Sequence, residues 1–137
     1  MNETFKAYVA GLVDGEGTII IACHSQQKNT FYPQVAIGMC KARRTLNRLK
    51  SIYGGNIHRR KLPSGKFLDN WTTLCRQAEK FLRDIYPYLR IKKKQADLVF
   101  ELNERISVGQ RDNWQGLGKG EAKIRRQLYE KMKKLNR

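Results

Sequence analysis

The sequence predicts an α+β fold: a four-stranded antiparallel sheet with helices on one face and extra helices at the C-terminal end. Two observations predict it. Stripes of apolar residues at helical spacing alternate with pairs of strand-patterned runs, in the order helix, two strands, helix, two strands, helix, helix. Within each pair the runs are joined by short polar loops, the connection that antiparallel neighbours use.

Each element has its own signal. Residues 4–13 place Phe5, Tyr8, Val9, Leu12 and Val13 at helical spacing, with Asn2 or Thr4 as a cap and Gly15 and Gly17 as the stop. Residues 18–24 (TIIIACH) and 32–40 (YPQVAIGMC) are β-branched or small and apolar, and the polar SQQKNT between them makes a hairpin. Residues 44–53 carry Leu46, Leu49, Ile52 and Tyr53 on one helical face and stop at Gly54 and Gly55. A second hairpin is expected over 56–62 and 67–74, turning at Pro63, Ser64 and Gly65. Helical stripes follow over 75–89 and 92–106, with Pro87 ending or kinking the first. Residues 108–120 read as a loop and 119–136 as a charged terminal helix, so the core is expected over 1–106 and a C-terminal extension over 107–137. That extension either buttresses the core or grips flanking phosphates. No internal repeat is visible.

Charge narrows the function. Among 137 residues, 28 Lys and Arg stand against 12 Asp and Glu, a net charge of +16 that suits a polyanionic partner. An anionic membrane surface is the competing reading, but no apolar run approaches a spanning helix and no signal peptide is evident, so a soluble, intracellular protein is expected. Cys23, Cys40 and Cys75 form no CxxC pair, which indicates free buried thiols and no zinc knuckle. Residues 17–68 contain no acid at all, so a metal ion bound in the N-terminal half has only Glu3, Asp14 and Glu16 to draw on.

Ala7, Gly11 and Gly15 fall four apart, leaving a helical face nearly bare and open to close approach by another helix. Asp14 and Glu16 follow at the helix C-terminus, where the macrodipole favours a cation. If two copies of this helix cross, both Glu16 carboxylates reach one small region, and a divalent ion relieves their repulsion. A plain helix stop with Glu16 solvated would also explain Asp14 to Gly17. The small face, the strand that follows and the acid-free basic stretch weigh against it.

The segment Val9-Ala10-Gly11-Leu12-Val13-Asp14-Gly15-Glu16-Gly17 resembles the nonapeptide that names the LAGLIDADG homing endonucleases. It is identical at Ala10, Gly11, Leu12, Asp14 and Gly17 and conservative at Val9, Val13 and Glu16. The resemblance extends over the element order from about Phe5 to Ile106 and implies an αββαββα core with a saddle-shaped sheet lying on DNA. A single motif implies a homodimer that joins through Ala7, Ala10, Gly11, Val13, Asp14 and Gly15 and cuts a long pseudo-palindromic double-stranded DNA site. Glu16 stands at the family's essential acid and, with the Gly15 carbonyl, at its metal ligands. Mg²⁺, or another divalent cation such as Mn²⁺, is the implied cofactor, with no small-molecule cofactor and no membrane partner. Lys92, in a segment resembling the family's basic run, is expected to polarise water or stabilise the scissile phosphate; a solvated or phosphate-gripping face would explain it equally. At the end of the second strand, where relatives commonly have Gln, this chain has Cys40-Lys41-Ala42-Arg43, leaving Lys41 or Arg43 as the polar group. The resemblance places the enzyme in a mobile intron or intein-like setting (intron homing). An RNA-binding intron maturase or a non-cleaving DNA-binding regulator on the same scaffold are the alternatives.

Strand alternation supplies the candidate DNA face. In the first hairpin Thr18, Ile20, Ala22, His24, Gln26, Gln34, Ala36, Gly38 and Cys40 point outward; in the second, Asn56, His58, Arg60, Asn70 and Thr72 do. Lys28, Arg59, Lys61 and Lys66, near loops, suit phosphates. Trp71 is assigned to packing.

Overall fold

The computed structural model of the chain describes residues 2–25, 30–111 and 118–137. Its elements run α1 (Glu3–Glu16), β1 (Gly17–Ser25), β2 (Thr30–Cys40), α2 (Arg43–Tyr53), β3 (Asn56–Lys61), β4 (Phe67–Leu74), α3 (Cys75–Ile85), a 3-10 turn at Tyr86–Tyr88, α4 (Lys93–Arg111) and α5 (Lys119–Leu135). The α+β class and the expected order hold. The four strands pair antiparallel in the order β1-β2-β4-β3, which puts the two hairpins side by side with β1 and β3 as edges.

Burial alternates along the strands as the side-chain period of two requires. Ile19, Ile21, Val35, Ile37, Trp71 and Thr73 are buried towards the helices, whereas Ile20, Gln34, Ala36, Asn70 and Thr72 keep partial exposure on the other face. Beneath the helices, Phe81 receives Trp71 and Tyr53 edge-on, with ring centres 5.0 and 5.1 Å away. Trp71, expected to pack, is fully buried, and its Nε1 donates to the Gly54 carbonyl at 2.9 Å. That bond ties the end of α2 to the sheet. Gly54 and Gly55, at φ +73° and +84°, make the turn there, a backbone that L side chains rarely adopt.

Several boundaries differ from the expected ones for physical reasons. α3 stops at Ile85 because Pro87 enters the 3-10 turn and cannot donate to a continuing helix. The core boundary expected at 106 falls inside α4, which continues to Arg111, and Leu128 and Met132 of α5 complete the same apolar core. Asn136, just past α5, donates to the Ile19 carbonyl of edge strand β1 at 2.9 Å. The three cysteines are free as expected but not buried: Cys23 and Cys40 are half-buried and Cys75 is exposed. Among the described residues no helix is long and apolar enough to cross a membrane.

Candidate metal centre and nucleic-acid interface

Helix α1 begins at an Asn2 cap, whose Oδ1 accepts the Phe5 amide at 2.8 Å. One face, Val9, Ala10 and Val13, is fully buried in the chain's own core. The opposite face is bare: Ala7, Gly11 and Gly15 are exposed, and a Cβ added at either glycine would meet no atom within 4 Å. Ala7, Gly11 and Asp14 line an open groove with Pro87, Tyr88, Leu89 and Arg90. Ala10 and Val13, expected on the dimer face, are therefore corrected to core residues, since both point away from the exposed stripe.

The helix passes Gly15 and stops at Gly17, the second of the two glycines expected to end it. α1 runs through Asp14 and Gly15 to Glu16, and the reason lies 76 residues further on. The Asp14 carboxylate accepts three consecutive backbone N–H groups, from Arg90 at 2.8 Å, Ile91 at 3.2 Å and Lys92 at 3.0 Å, immediately before α4. A helix N-terminus favours such an anion. In return, Lys92 Nζ donates to the Val13 carbonyl at 3.0 Å and to the Gly17 carbonyl, covering the negative end of α1. The start of α4 and the end of α1 thus cap each other. Gly17 is needed at the join, because a Cβ there would lie 2.7 Å from Val13 Cα.

This geometry sorts the two acids. Asp14 is committed to the α4 entry as a clamp while still lining the open groove beside Gly11. Glu16 is exposed, and its carboxylate has no hydrogen bond or ion pair with a described residue. The Gly15 carbonyl lies in the last turn, where no in-helix donor follows. Lys92 sits beside this pair, but its ammonium holds the α1 carbonyls where the sequence had suggested a group free for water or phosphate. Among the described residues no three His, Cys, Asp or Glu side chains cluster as metal ligands. Glu16 and the Gly15 carbonyl are hard oxygen donors of the kind that suits a divalent ion, and two such donors make only a partial set.

From Glu16 the chain passes directly into β1, and the outward face of the sheet begins at once. The register aligns its residues in transverse rows: Thr18, Ala36, Thr72 and Asn56 in one, Gly38, Asn70 and His58 in the next, Cys40, Leu68 and Arg60 beyond. On the other side of Thr18 follow Ile20 with Gln34 and Leu74, then Ala22 with Tyr32. His24, Lys41, Arg43, Lys61 and Lys66 are exposed, but Arg43 reaches back to Asp69 and Lys61 alternates with Arg60, so these two do not share the outward face. The structure therefore brings the expected outward residues onto one face. Gln26 and Lys28 lie outside the described residues. Alternation would also have found Tyr32 and Leu68 on this face.

The chain is 29% identical to the DNA endonuclease I-CreI of Chlamydomonas reinhardtii over 111 residues, 77% of this chain and 66% of that protein. A structure of the homing endonuclease I-CvuI with its target, in the presence of calcium, superposes with a TM-score of 0.74 at 20% identity, covering 98% of this chain and 85% of that one. The chain is a homologue of I-CreI with the LAGLIDADG homing-endonuclease fold. A structure of the archaeal intron-encoded homing endonuclease I-Vdi141I complexed with DNA matches the fold with a TM-score of 0.70 at 19% identity, over 98% of this chain and 86% of that one. No protein-family model matches the chain. The match to I-CreI spans slightly less than two thirds of that enzyme's length. The LAGLIDADG fold makes sense of α1: its nonapeptide is the segment whose far end delivers Glu16 to the sheet.

Proposed function

We propose that the chain is a site-specific homing endonuclease that works as a homodimer and hydrolyses one phosphodiester in each strand of a long pseudo-palindromic DNA target. One observation carries this reading: Glu16 leaves α1 unpartnered between a side-chain-free helix face and a continuous outward sheet surface. Two such helices crossing through Ala7, Gly11 and Gly15 would bring two Glu16 carboxylates together, repelling each other until a cation intervenes. Mg²⁺ or Mn²⁺ suits the oxygen donors, held by Glu16 and the Gly15 carbonyl; such an ion, when bound, supplies Lewis-acid polarisation and charge neutralisation at the phosphodiester. The relative I-CvuI has been crystallised on DNA with calcium and with magnesium, which supports this choice.

The remaining roles belong to the chain's own groups. Asp14 and Lys92 hold the end of α1, and so the Glu16 backbone, in place. The sheet offers Gln34, Asn56, Asn70 and His58 to base edges and Arg60, Lys61 and Lys66 to phosphates. A target selected from random duplex DNA should be cut only with divalent metal, and Glu16→Gln should bind it as tightly as wild type while cleavage falls by at least about a thousandfold. Cleavage by Glu16→Gln at the wild-type rate, or tighter binding to structured RNA than to any duplex at matched salt, would sink the proposal.

A further inference from the structure

Asp69 ends the long acid-free stretch, and the fold buries it. Its side chain is 1% exposed, on the helix-facing side of β4 in step with Trp71 and Thr73. A carboxylate so far from water is tolerated only where cations and hydrogen bonds compensate it. Arg59 meets both of its oxygens, through Nε at 2.8 Å and a terminal nitrogen at 3.2 Å. Arg43 donates to Oδ1 at 3.0 Å. The two arginines come from different elements: Arg59 lies opposite Asp69 in the β3 register, and Arg43 opens α2 two residues after Lys41, whose φ of 58° turns the chain out of β2. The Arg59 guanidinium also lies 5.2 Å from the centre of the Phe67 ring.

One forked arginine suffices to neutralise a buried acid. The second converts a neutral pair into a site of net charge +1, and both arginine side chains remain about half exposed, at 48% and 49%. Each guanidinium has five N–H donors, so most of them remain for an external anion. Register locates the cluster. Gly17 pairs with Ile37 and Ile37 with Trp71, while Asp69 pairs with Met39, two residues further towards the end of the sheet at which Glu16 enters. Two strand spacings, roughly 10 Å, separate β4 from β1.

We infer that Asp69 is a positioning residue, holding Arg43 and Arg59 as a fixed two-pronged contact for a DNA backbone phosphate that passes the β3 edge of the sheet, at the end where Glu16 enters. The inference rests on the endonuclease reading. Guanidinium forks match phosphate oxygens in pairs, and their affinity depends on being held in place. Simple electrostatics predicts the opposite outcome on mutation. Removing the Asp69 charge makes each protomer more positive, which by itself tightens binding to DNA.

The test compares wild type, Asp69→Asn, Arg43→Lys and Arg59→Lys for binding at fixed salt and for single-turnover cleavage of a duplex selected from random DNA. Circular dichroism melting reports folding. Positioning predicts that Asp69→Asn weakens binding about tenfold and lowers the salt slope by about one, and that both lysine variants weaken it although their formal charge is unchanged. Tighter or equal binding by a folded Asp69→Asn, or lysine variants equal to wild type, overturns the inference while leaving cleavage by wild type as evidence for the endonuclease. Should Asp69→Asn fail to fold, the lysine variants decide. Wild type that neither cuts nor prefers duplex DNA overturns both.

Discussion

Asp14 and Glu16 lie within one helical turn and differ only in what surrounds them. Three backbone N–H groups converge on Asp14, so Asp14→Ala should destabilise the fold by about 2 kcal/mol, combining a lost cap with lost hydrogen bonds to a charged acceptor. Urea unfolding measures it, and an unchanged midpoint would refute the clamp. Glu16→Gln should leave that midpoint where it is, because Glu16 holds nothing inside the protomer. Asp69 adds a pH dependence. The hydrogen bonds from Arg59, then those from Arg43 and the charges of both arginines, hold its carboxyl below the usual carboxylate range against the opposing effect of burial. A depressed folded value means that the stabilisation is present above the unfolded carboxylate range and is lost as pH falls through the lower, folded one. Melting temperature should therefore drop on acidification in wild type, and the drop should be shallower in Asp69→Asn.

At the scale of elements, the strand pairs, the turn at Gly54 and Gly55, the end of β2 and the outward face could all be read from local pattern, because period and turn chemistry act over a few residues. The contact that holds the end of α1 could not. The helix's continuation through Gly15 depends on Asp14 and Lys92 reaching across to each other, and no local spacing encodes a contact so distant in the chain. Lys92 was legible as a residue near the centre through family resemblance, yet its ammonium geometry was not. Asp69 was overlooked although a signal existed: it shares strand parity with Trp71, so an acid stood at a core position. Ala10 and Val13 were misassigned because a helix stripe read from small residues alone does not separate the faces. The join between α2 and β3 gives a test at this scale. Gly55→Ala would set a side chain at φ +84° against the Thr72 carbonyl and 3.1 Å from Trp71 Nε1, and should destabilise the protein by at least about 2 kcal/mol in thermal unfolding.

For the molecule as a whole, the exposed glycine stripe would separate folding from the proposed dimerisation. At Gly11 an added Cβ meets nothing within 4 Å, and replacing a helical glycine favours the helix by up to about 1 kcal/mol. Gly11→Lys should consequently melt at or above the wild-type temperature yet sediment as a monomer and lose double-strand cleavage. A dimeric Gly11→Lys would place the subunit contact elsewhere.

The mutual capping of α1 and α4 also bears on engineering. Anyone exchanging the first helix of this protein for a relative's, in order to test the proposed cleavage, would be transplanting half of a latch. The strip from Arg90 to Lys92 has to travel with it, or the graft will present its acid from a loosened hinge. Chimeras whose crossover points respect that pairing are the ones to build first.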